Sequence, residues 1–377
     1  MAKKDFYSVL ESLEKAVGNK GKPKLSFFDD RKVEDVSVVS WGIPALDVAS
    51  NIGGCPRGKI IELFGPESGG KSFTSIKVMA EFQKANLRAA LIDLEHSADP
   101  KWIAMHGVDT KSLVYGCDFT GDEALSYIRE MCYKEVADII VLDSTAALIP
   151  ESELERKIGD PMIASLARLM SDGMKKIMQA ASDTNTTVIF VNQIRMKPGV
   201  MWGDPEDTPG GKALKFYAHQ RLRVQRIGLI KEPGSEEDKK TIVGIKSKVK
   251  FVKNKLAAPF GEGEFEIHFY DDGNSSLTKL VLVAYQKPLA IIKRKSVEGK
   301  MHYLWPFSDP VEDTGCESPS DVADWLEANG KVIELLDVVE AKAKEIDLKL
   351  PEEVLAIRAG DGQGTEKKGE VEIVKDE

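Results

Sequence analysis

The stretch Gly65-Pro66-Glu67-Ser68-Gly69-Gly70-Lys71-Ser72 decides how this chain reads. It fits the pattern G-x-x-x-x-G-K-[ST]. A short apolar run, Ile60-Ile61-Glu62-Leu63-Phe64, stands directly before it. Phe73 and a helical pattern with Ile76, Met79, Ala80 and Phe82 come after it. A strand, this loop and a helix in that order build a phosphate cradle. The glycines let backbone N–H groups wrap the phosphates, and the helix N-terminus adds a favourable dipole. Lys71 then neutralises the β- and γ-phosphates of ATP, and the Ser72 hydroxyl ligates Mg²⁺. The plain alternative is a glycine-rich turn carrying an accidental lysine, and the flanking elements argue against it.

Outward from this loop, three more apolar runs read as buried strands: Ala89–Asp93, Ile139–Asp143 and Val188–Asn192. Apolar strands separated by helical patterns imply a mainly parallel sheet covered on both faces, an α/β fold. A carboxylate at the end of a neighbouring strand can hold the metal through water, and Asp143 fits. Hydrolysis also needs a group that orients and deprotonates water. Glu95, just beyond Asp93, falls on the same sheet edge as the phosphate loop. A solvated loop carboxylate is the competing reading, and His96 beside it reads as a bystander. Farther on, Phe265, Ile267 and Phe269 alternate with Glu264, Glu266 and His268, the mark of a half-exposed antiparallel strand.

The flanks differ in character. Phe6, Val9, Leu10, Leu13 and Val17 form a stripe at helical spacing, with Glu14 elsewhere. Such a helix packs on its own core or on a neighbouring subunit. A Gly/Lys-rich linker spans 18–24. Ser318-Pro319-Ser320-Asp321 is a helix start, Val322, Trp325 and Leu326 continue it as a stripe, and a second helix runs through Lys344. The expected layout is an N-terminal helix and linker (1–35), an ATPase core (36–272), a small α+β C-terminal domain (273–350) and an acidic, disordered tail (351–377).

The chain has 377 residues, of which 42% are hydrophobic, with a net charge of −9. That apolar fraction excludes a wholly disordered chain. No apolar run reaches the ~18 residues of a membrane span, and the N-terminus lacks a signal peptide pattern. Cys55, Cys117, Cys132 and Cys316 are scattered, which argues against a disulfide scaffold and for a reducing, cytoplasmic compartment.

Five segments taken together carry a resemblance. They are GPESGGKS, LIDLEHSADP, IIVLDSTAALIP, VIFVNQIRMKPGVMWGDPEDTPGGKALKFYA and KVKFVKNKLAAPF, in this order and spacing. The chain closely resembles the bacterial RecA recombinases, densely from about 40 to 270. The resemblance implies a RecA-type ATPase core whose N-terminal helix docks on the adjacent protomer. It also implies a helical filament on single-stranded DNA, with ATP at the subunit interface and strand exchange with homologous duplex. It implies Glu95 as catalytic base, Gln193 as γ-phosphate sensor, Asp99 and Trp102 as adenine contacts, and Lys253 and Lys255 as cations reaching the neighbour's ATP. Without it, Trp102 would read as a core aromatic and the two lysines as solvated.

Two segments resemble DNA-binding loops, 155–165 and 194–212. The second holds too many prolines and glycines for helix or strand. It also holds apolar Met196, Val200, Met201 and Trp202. Arg168, Lys175, Arg195 and Lys212 are the expected backbone contacts. Met162, Ile163, Met196 and Pro198 are the expected base contacts, with Gly210 and Gly211 closing the loop. Lys212, Lys215, Arg221, Arg223, Arg226 and Lys231, in a run without acids, extend the basic surface. Such binding falls steeply with salt and tolerates any sequence. Pro198 departs from the branched aliphatic residue common in the family. The region after about 270 matches weakly, which reads as a divergent lineage, cellular or viral. There Lys293-Arg294-Lys295, with His302, Tyr303 and Trp305, could capture duplex DNA or could be a charge run beside core aromatics. The competing functions are a hexameric helicase, a small-molecule kinase and an ATP-gated scaffold. The basic loop disfavours the kinase, and the QIRMKPGVMWG run disfavours the helicase.

Overall fold

The computed structural model describes residues 3–17, 36–154, 165–196, 206–231, 242–269, 292–297, 300–307, 311–316 and 319–345. The acidic tail, the 18–24 linker, Met162, Ile163 and Pro198 lie outside them. Two compact units are formed, Met1–Ser37 and Val38–Glu377.

In the first unit, helix α1 covers Lys3–Ala16. Of its expected apolar stripe, Leu10 is half-buried. Val9, Leu13 and Val17 are 38, 49 and 80% exposed, whereas Glu14 is buried.

The second unit opens with β1 (Val38–Val39), α2 (Pro44–Ala49) and β2 (Cys55–Pro56). The alternating core comes next: β3 (Ile60–Gly65), α3 (Lys71–Lys84), β4 (Ala89–Asp93), α4 (Pro100–Met105), β5 (Val114–Gly116), α5 (Gly121–Tyr133), β6 (Ile139–Asp143), α6 (Glu151–Leu154), α7 (Ser165–Thr184) and β7 (Thr187–Gln193). A two-strand stem, β8 (Arg195–Met196) with β9 (Glu206–Asp207), precedes α8 (Ala213–Tyr217). Long strands β10 (Gln220–Lys231) and β11 (Ile242–Asn254) and then β12 (Glu262–His268) complete the core.

Eight strands form one sheet in the order β12-β11-β10-β3-β7-β6-β4-β5. The pairs from β10 across to β5 are parallel, whereas β10-β11-β12 are antiparallel. The expected parallel centre is therefore present, with an antiparallel extension. Strand alternation divides the apolar residues between two layers. Ile61, Leu63, Leu91, Val141 and Ile189 pack with Ile76, Met79 and Phe82 of α3. Ile60, Ile92, Ile140, Leu142 and Phe190 pack with α5 and α7 through Ile128, Met174 and Ile177. All of these are nearly or fully buried, each contributing about 1.5–3 kcal/mol. In β12, Phe265 and Ile267 are buried as the alternation requires. Phe269 lies past the strand end and is 36% exposed, so the stripe is one residue shorter than expected.

Beyond the core, β13 (Lys293–Val297), β14 (Lys300–Trp305) and β15 (Glu312–Asp313) make an antiparallel sheet. Helices α9 (Pro319–Ala328) and α10 (Val332–Glu345) come after it, close to their expected bounds. Val322, Leu326, Leu335 and Val339 are buried. Register places Arg294 opposite Tyr303 and Lys295 opposite His302. Trp305 is fully buried, so it belongs to the core and not to a DNA-facing surface.

Candidate functional site

The carboxyl edge of the parallel strands collects the chemistry. Loop 65–71 leaves β3 between β7 and β10, and glycine is sterically required there. A Cβ on Gly65 would fall 1.9 Å from the Val224 carbonyl oxygen of β10. Gly70 caps α3 with φ +99°, a left-handed conformation that favours glycine. The Lys71 ammonium donates to the Gly65 and Pro66 carbonyls at 3.1 and 2.7 Å. Burial lowers its pKa, opposed by the charges of Asp143, Glu95 and Glu67.

Asp143 ends β6 and pairs across the ladder with Asp93 of β4. The Ser72 hydroxyl donates to it at 2.8 Å. Burial pushes the Asp143 carboxyl up to about 6; the Ser72 hydrogen bond opposes this, and the nearby charges of Glu95 and Asp93 reinforce it. Two oxygen ligands beside several carboxylates suit a hard divalent cation, so the donor set fits Mg²⁺.

Glu95 stands just after β4 and is held twice. The Ser144 hydroxyl donates to its Oε1, as does the Gln193 side-chain amide at 3.0 Å. Gln193 is the last residue of β7, one residue before the 194–212 segment. Asp93 braces the loop by accepting from the Glu95 and Ala98 backbone N–H groups at 3.1 and 2.9 Å. Asp99 caps α4 by accepting from the Lys101 N–H at 2.8 Å. Trp102 meets His106 edge-on at 4.2 Å. A cavity of about 180 Å³ is lined by Ser72, Asp143, Asp99, Trp102 and Ile103, among others. The residues expected for metal and adenine thus share one cavity. Trp102 is half-buried and lines it while also packing on the core.

Lys253 and Lys255 are elsewhere. Lys253 pairs across the ladder with Arg221, itself level with Glu62 of β3. The Lys255 N–H donates to the His219 carbonyl, and the His219 N–H to Ile60. Both lysines therefore lie toward the amino edge, roughly 10–16 Å along the strand from the phosphate loop at ~3.3 Å per residue. Their ammonium groups donate to carbonyls closing α8: Lys253 to Lys215 and Phe216 at 2.6 and 3.0 Å, Lys255 to Phe216 at 3.2 Å. Burial and the nearby Lys255 and Arg221 charges lower the Lys253 pKa to about 8.

The segment expected to bind polymer is described at its two ends. The β8–β9 stem closes it, with Arg195 opposite Asp207 and Met196 opposite Glu206. Its return end lies on the start of α7: a Cβ on Gly211 would come 2.9 Å from Ala167, and one on Gly210 3.2 Å from Met170. Arg168 and Lys175 are exposed and seven residues apart on α7, hence on one helix face. Arg195 and Lys212 are also exposed. The basic run is smaller than expected. Lys215 pairs with Asp207, Arg223 with Glu206 and Arg221 with Glu62. Those three cations hold the fold together, leaving Lys212, Arg226 and Lys231 exposed.

Ser144, Glu62 and Asn192 escaped the sequence reading. Glu62 is fully buried, accepting from Arg221 and, at 3.1 Å, from Asn192. Asn192 also donates to the Pro209 carbonyl at 3.2 Å, tying the loop's return to the sheet. A lone carboxylate inside an apolar strand was the available signal, because such a charge requires a partner.

Comparison with known proteins agrees with this architecture. The RecA N-terminal domain family matches residues 4–275. Protein RecA of Syntrophus aciditrophicus is 47% identical over 238 residues, covering 63% of this chain and 68% of that protein. Protein RecA of Chlorobaculum parvum is 43% identical over 291 residues, covering 77% and 81%. Protein RecA of Thermus aquaticus is 43% identical over 267 residues, covering 71% and 76%.

Proposed function

The chain belongs to the RecA family, and from that membership we propose that it is an ATP-dependent recombinase. It coats single-stranded DNA as a helical filament and exchanges strands with homologous duplex. Hydrolysis of ATP to ADP and phosphate is stimulated by DNA and recycles the filament. No described helix is long and apolar enough to cross a membrane. From its family membership we place its work in the cytoplasm.

One observation carries the coupling of nucleotide to DNA: the 3.0 Å bond from Gln193 to Glu95. Glu95 would act as the base toward attacking water. Gln193 stands at the root of the loop proposed to hold DNA, so a γ-phosphate that draws its amide away from Glu95 also moves that root. Backbone N–H groups of Gly65, Glu67, Ser68, Gly69 and Gly70 and the Lys71 ammonium would cradle the triphosphate, with Pro66 shaping the loop and Phe73 behind it in α3. Asp99 and Trp102 would hold adenine by accepting from its amine and stacking on its face. Ser72 and Asp143 would hold Mg²⁺, which when bound neutralises charge on the phosphate oxygens.

Lys253 and Lys255 lie too far along the sheet to reach their own chain's phosphates. They would serve the ATP of an adjacent copy, stabilising charge on the transferring phosphoryl group. The exposed Val9, Leu13 and Val17 of α1 support the same assembly, as apolar residues that a second copy would cover. DNA would be held by Arg168, Lys175, Arg195 and Lys212 on its backbone and by Met162, Ile163, Met196 and Pro198 on its bases, with Gly210 and Gly211 seating the loop on α7. We keep 36–272 as the catalytic core, with 1–35, 273–350 and 351–377 as accessory segments.

The deciding experiment is ATP hydrolysis with and without single-stranded DNA across a salt series. Stimulation by DNA that falls steeply with salt is expected, together with filaments in electron micrographs. Neutralising Arg195 and Lys212 together should weaken that stimulation and flatten the salt slope. Hydrolysis indifferent to DNA, with dispersed particles, would sink the reading.

A further inference from the structure

Two loops beside the nucleotide edge bring three unlike ligand atoms together. His96 comes after β4, and Cys117 and Asp118 come after β5, the parallel neighbour of β4. One donor atom from each of the three lies within 4.8 Å of the others. The His96 Nε2 is 3.6 Å from one Asp118 carboxylate oxygen, and the Cys117 Sγ donates to the other at 3.3 Å. We propose that His96, Cys117 and Asp118 form a second metal site, distinct from the Ser72–Asp143 pair, that takes a borderline-soft divalent ion of the Zn²⁺ type.

The chemistry selects the ion class. Thiolate and imidazole favour zinc-like metals, whereas Mg²⁺ and Ca²⁺ prefer oxygen throughout. The spacing agrees as well. Bonds of ~2.3 Å to sulfur and ~2.0–2.2 Å to nitrogen and oxygen, at tetrahedral angles, give ligand–ligand edges of roughly 3.4–3.6 Å. The donor atoms lie within 4.8 Å of one another, with His96 3.6 Å from one Asp118 oxygen and Cys117 3.3 Å from the other, so side-chain rotation of roughly an ångström brings all three to these edges. His96 and Asp118 are exposed and Cys117 is half-buried, so an ion can enter and a fourth position stays open for water. On binding, the Cys117 thiol gives its proton to solvent and the thiolate bonds the metal. Occupancy would tie the loop that carries Glu95 to the one after β5.

The test uses the full-length, reduced, metal-stripped protein titrated with Co²⁺ and then with Zn²⁺. One equivalent of Co²⁺ should give tetrahedral d–d bands with a thiolate-to-cobalt charge-transfer band, and Zn²⁺ should displace it. Cys117→Ser should abolish the charge-transfer band and weaken Zn²⁺ binding at least about tenfold, and His96→Ala and Asp118→Asn should weaken it similarly. Cys316→Ser, altering a free cysteine elsewhere, should leave both unchanged. Asp143→Asn should keep the band; d–d bands lost in that variant but kept in Cys117→Ser would assign the ion to the Ser72–Asp143 pair and overturn the site. A Co²⁺ spectrum without the thiolate band, or wild-type affinity in Cys117→Ser, would also overturn the site.

Discussion

The two edges of the central sheet are chemically opposite. The carboxyl edge gathers Asp93, Glu95 and Asp143 around one buried lysine, Lys71. The amino edge gathers Lys253 and Lys255 against the carbonyls that close α8, and His219 against the Ile60 N–H that starts β3. Lys253 and Lys255 lie roughly 10–16 Å along the strand from the phosphate loop of their own chain, at ~3.3 Å per residue. Strands several residues long keep them apart in a single chain. Under the proposed function a complete site would take its loop from one copy and these cations from the next, and filament formation would be part of the chemistry.

The sharpest way to break this contrast is to remove the amino-edge cations. Changing Lys253 and Lys255 to alanine should lower kcat on the order of 10³-fold while each chain still binds ATP. Mixing that variant with Lys71→Ala should restore part of the activity, because some junctions then pair an intact loop with intact lysines. Steady-state hydrolysis across mixing ratios reads this directly, and a strictly additive result would put the lysines outside the site.

Next in size, Glu95→Gln should slow turnover by about 10²-fold or more, with ATP binding retained and filaments longer-lived. Single-turnover hydrolysis beside a nucleotide-binding titration separates the two effects. Unchanged turnover would remove Glu95 from the role of base.

The smallest effect concerns His219. Burial, aided by Lys59, Lys255 and Lys253, lowers its pKa to about 4. Its Nδ1 accepts the Ile60 N–H at 3.2 Å, so the neutral ring belongs to the fold. A depressed pKa contributes stability that is complete above the ordinary value of about 6.5 and is lost as pH falls from there through about 4. His219→Gln, which can still accept that hydrogen bond, should flatten this acid-side loss. Melting temperatures of the nucleotide-free protein at pH 7.5 and 4.5 should differ from wild type by on the order of a few degrees.

Much of the carboxyl edge was readable from residue order. The apolar runs ending at Phe64, Asp93, Asp143 and Asn192 each became a parallel strand, because a strand buried on both faces admits little but apolar residues. Residues at or just beyond the end of such a strand must emerge at that edge, which put Lys71, Glu95 and Gln193 in one neighbourhood. The basic run after Lys212 was misjudged. Counting charges could not foresee that Lys215, Arg221 and Arg223 face Asp207, Glu62 and Glu206, since those partners come from other strands and from the loop stem. Ser144 was passed over for a similar reason, because a lone hydroxyl after Asp143 gains meaning only when Glu95 is brought against it.

Local order along the chain was enough to specify the phosphate loop, its flanking strand and helix, and the α/β class, because hydrophobic period and glycine placement act over a few residues. The pairing of cations with carboxylates, the separation of Lys253 and Lys255 from their own phosphate loop, and the meeting of His96 with Cys117 and Asp118 required folding in three dimensions. Coulomb and hydrogen-bond energies depend on distance in space, and positions far apart in the chain carry no local sign of which will touch.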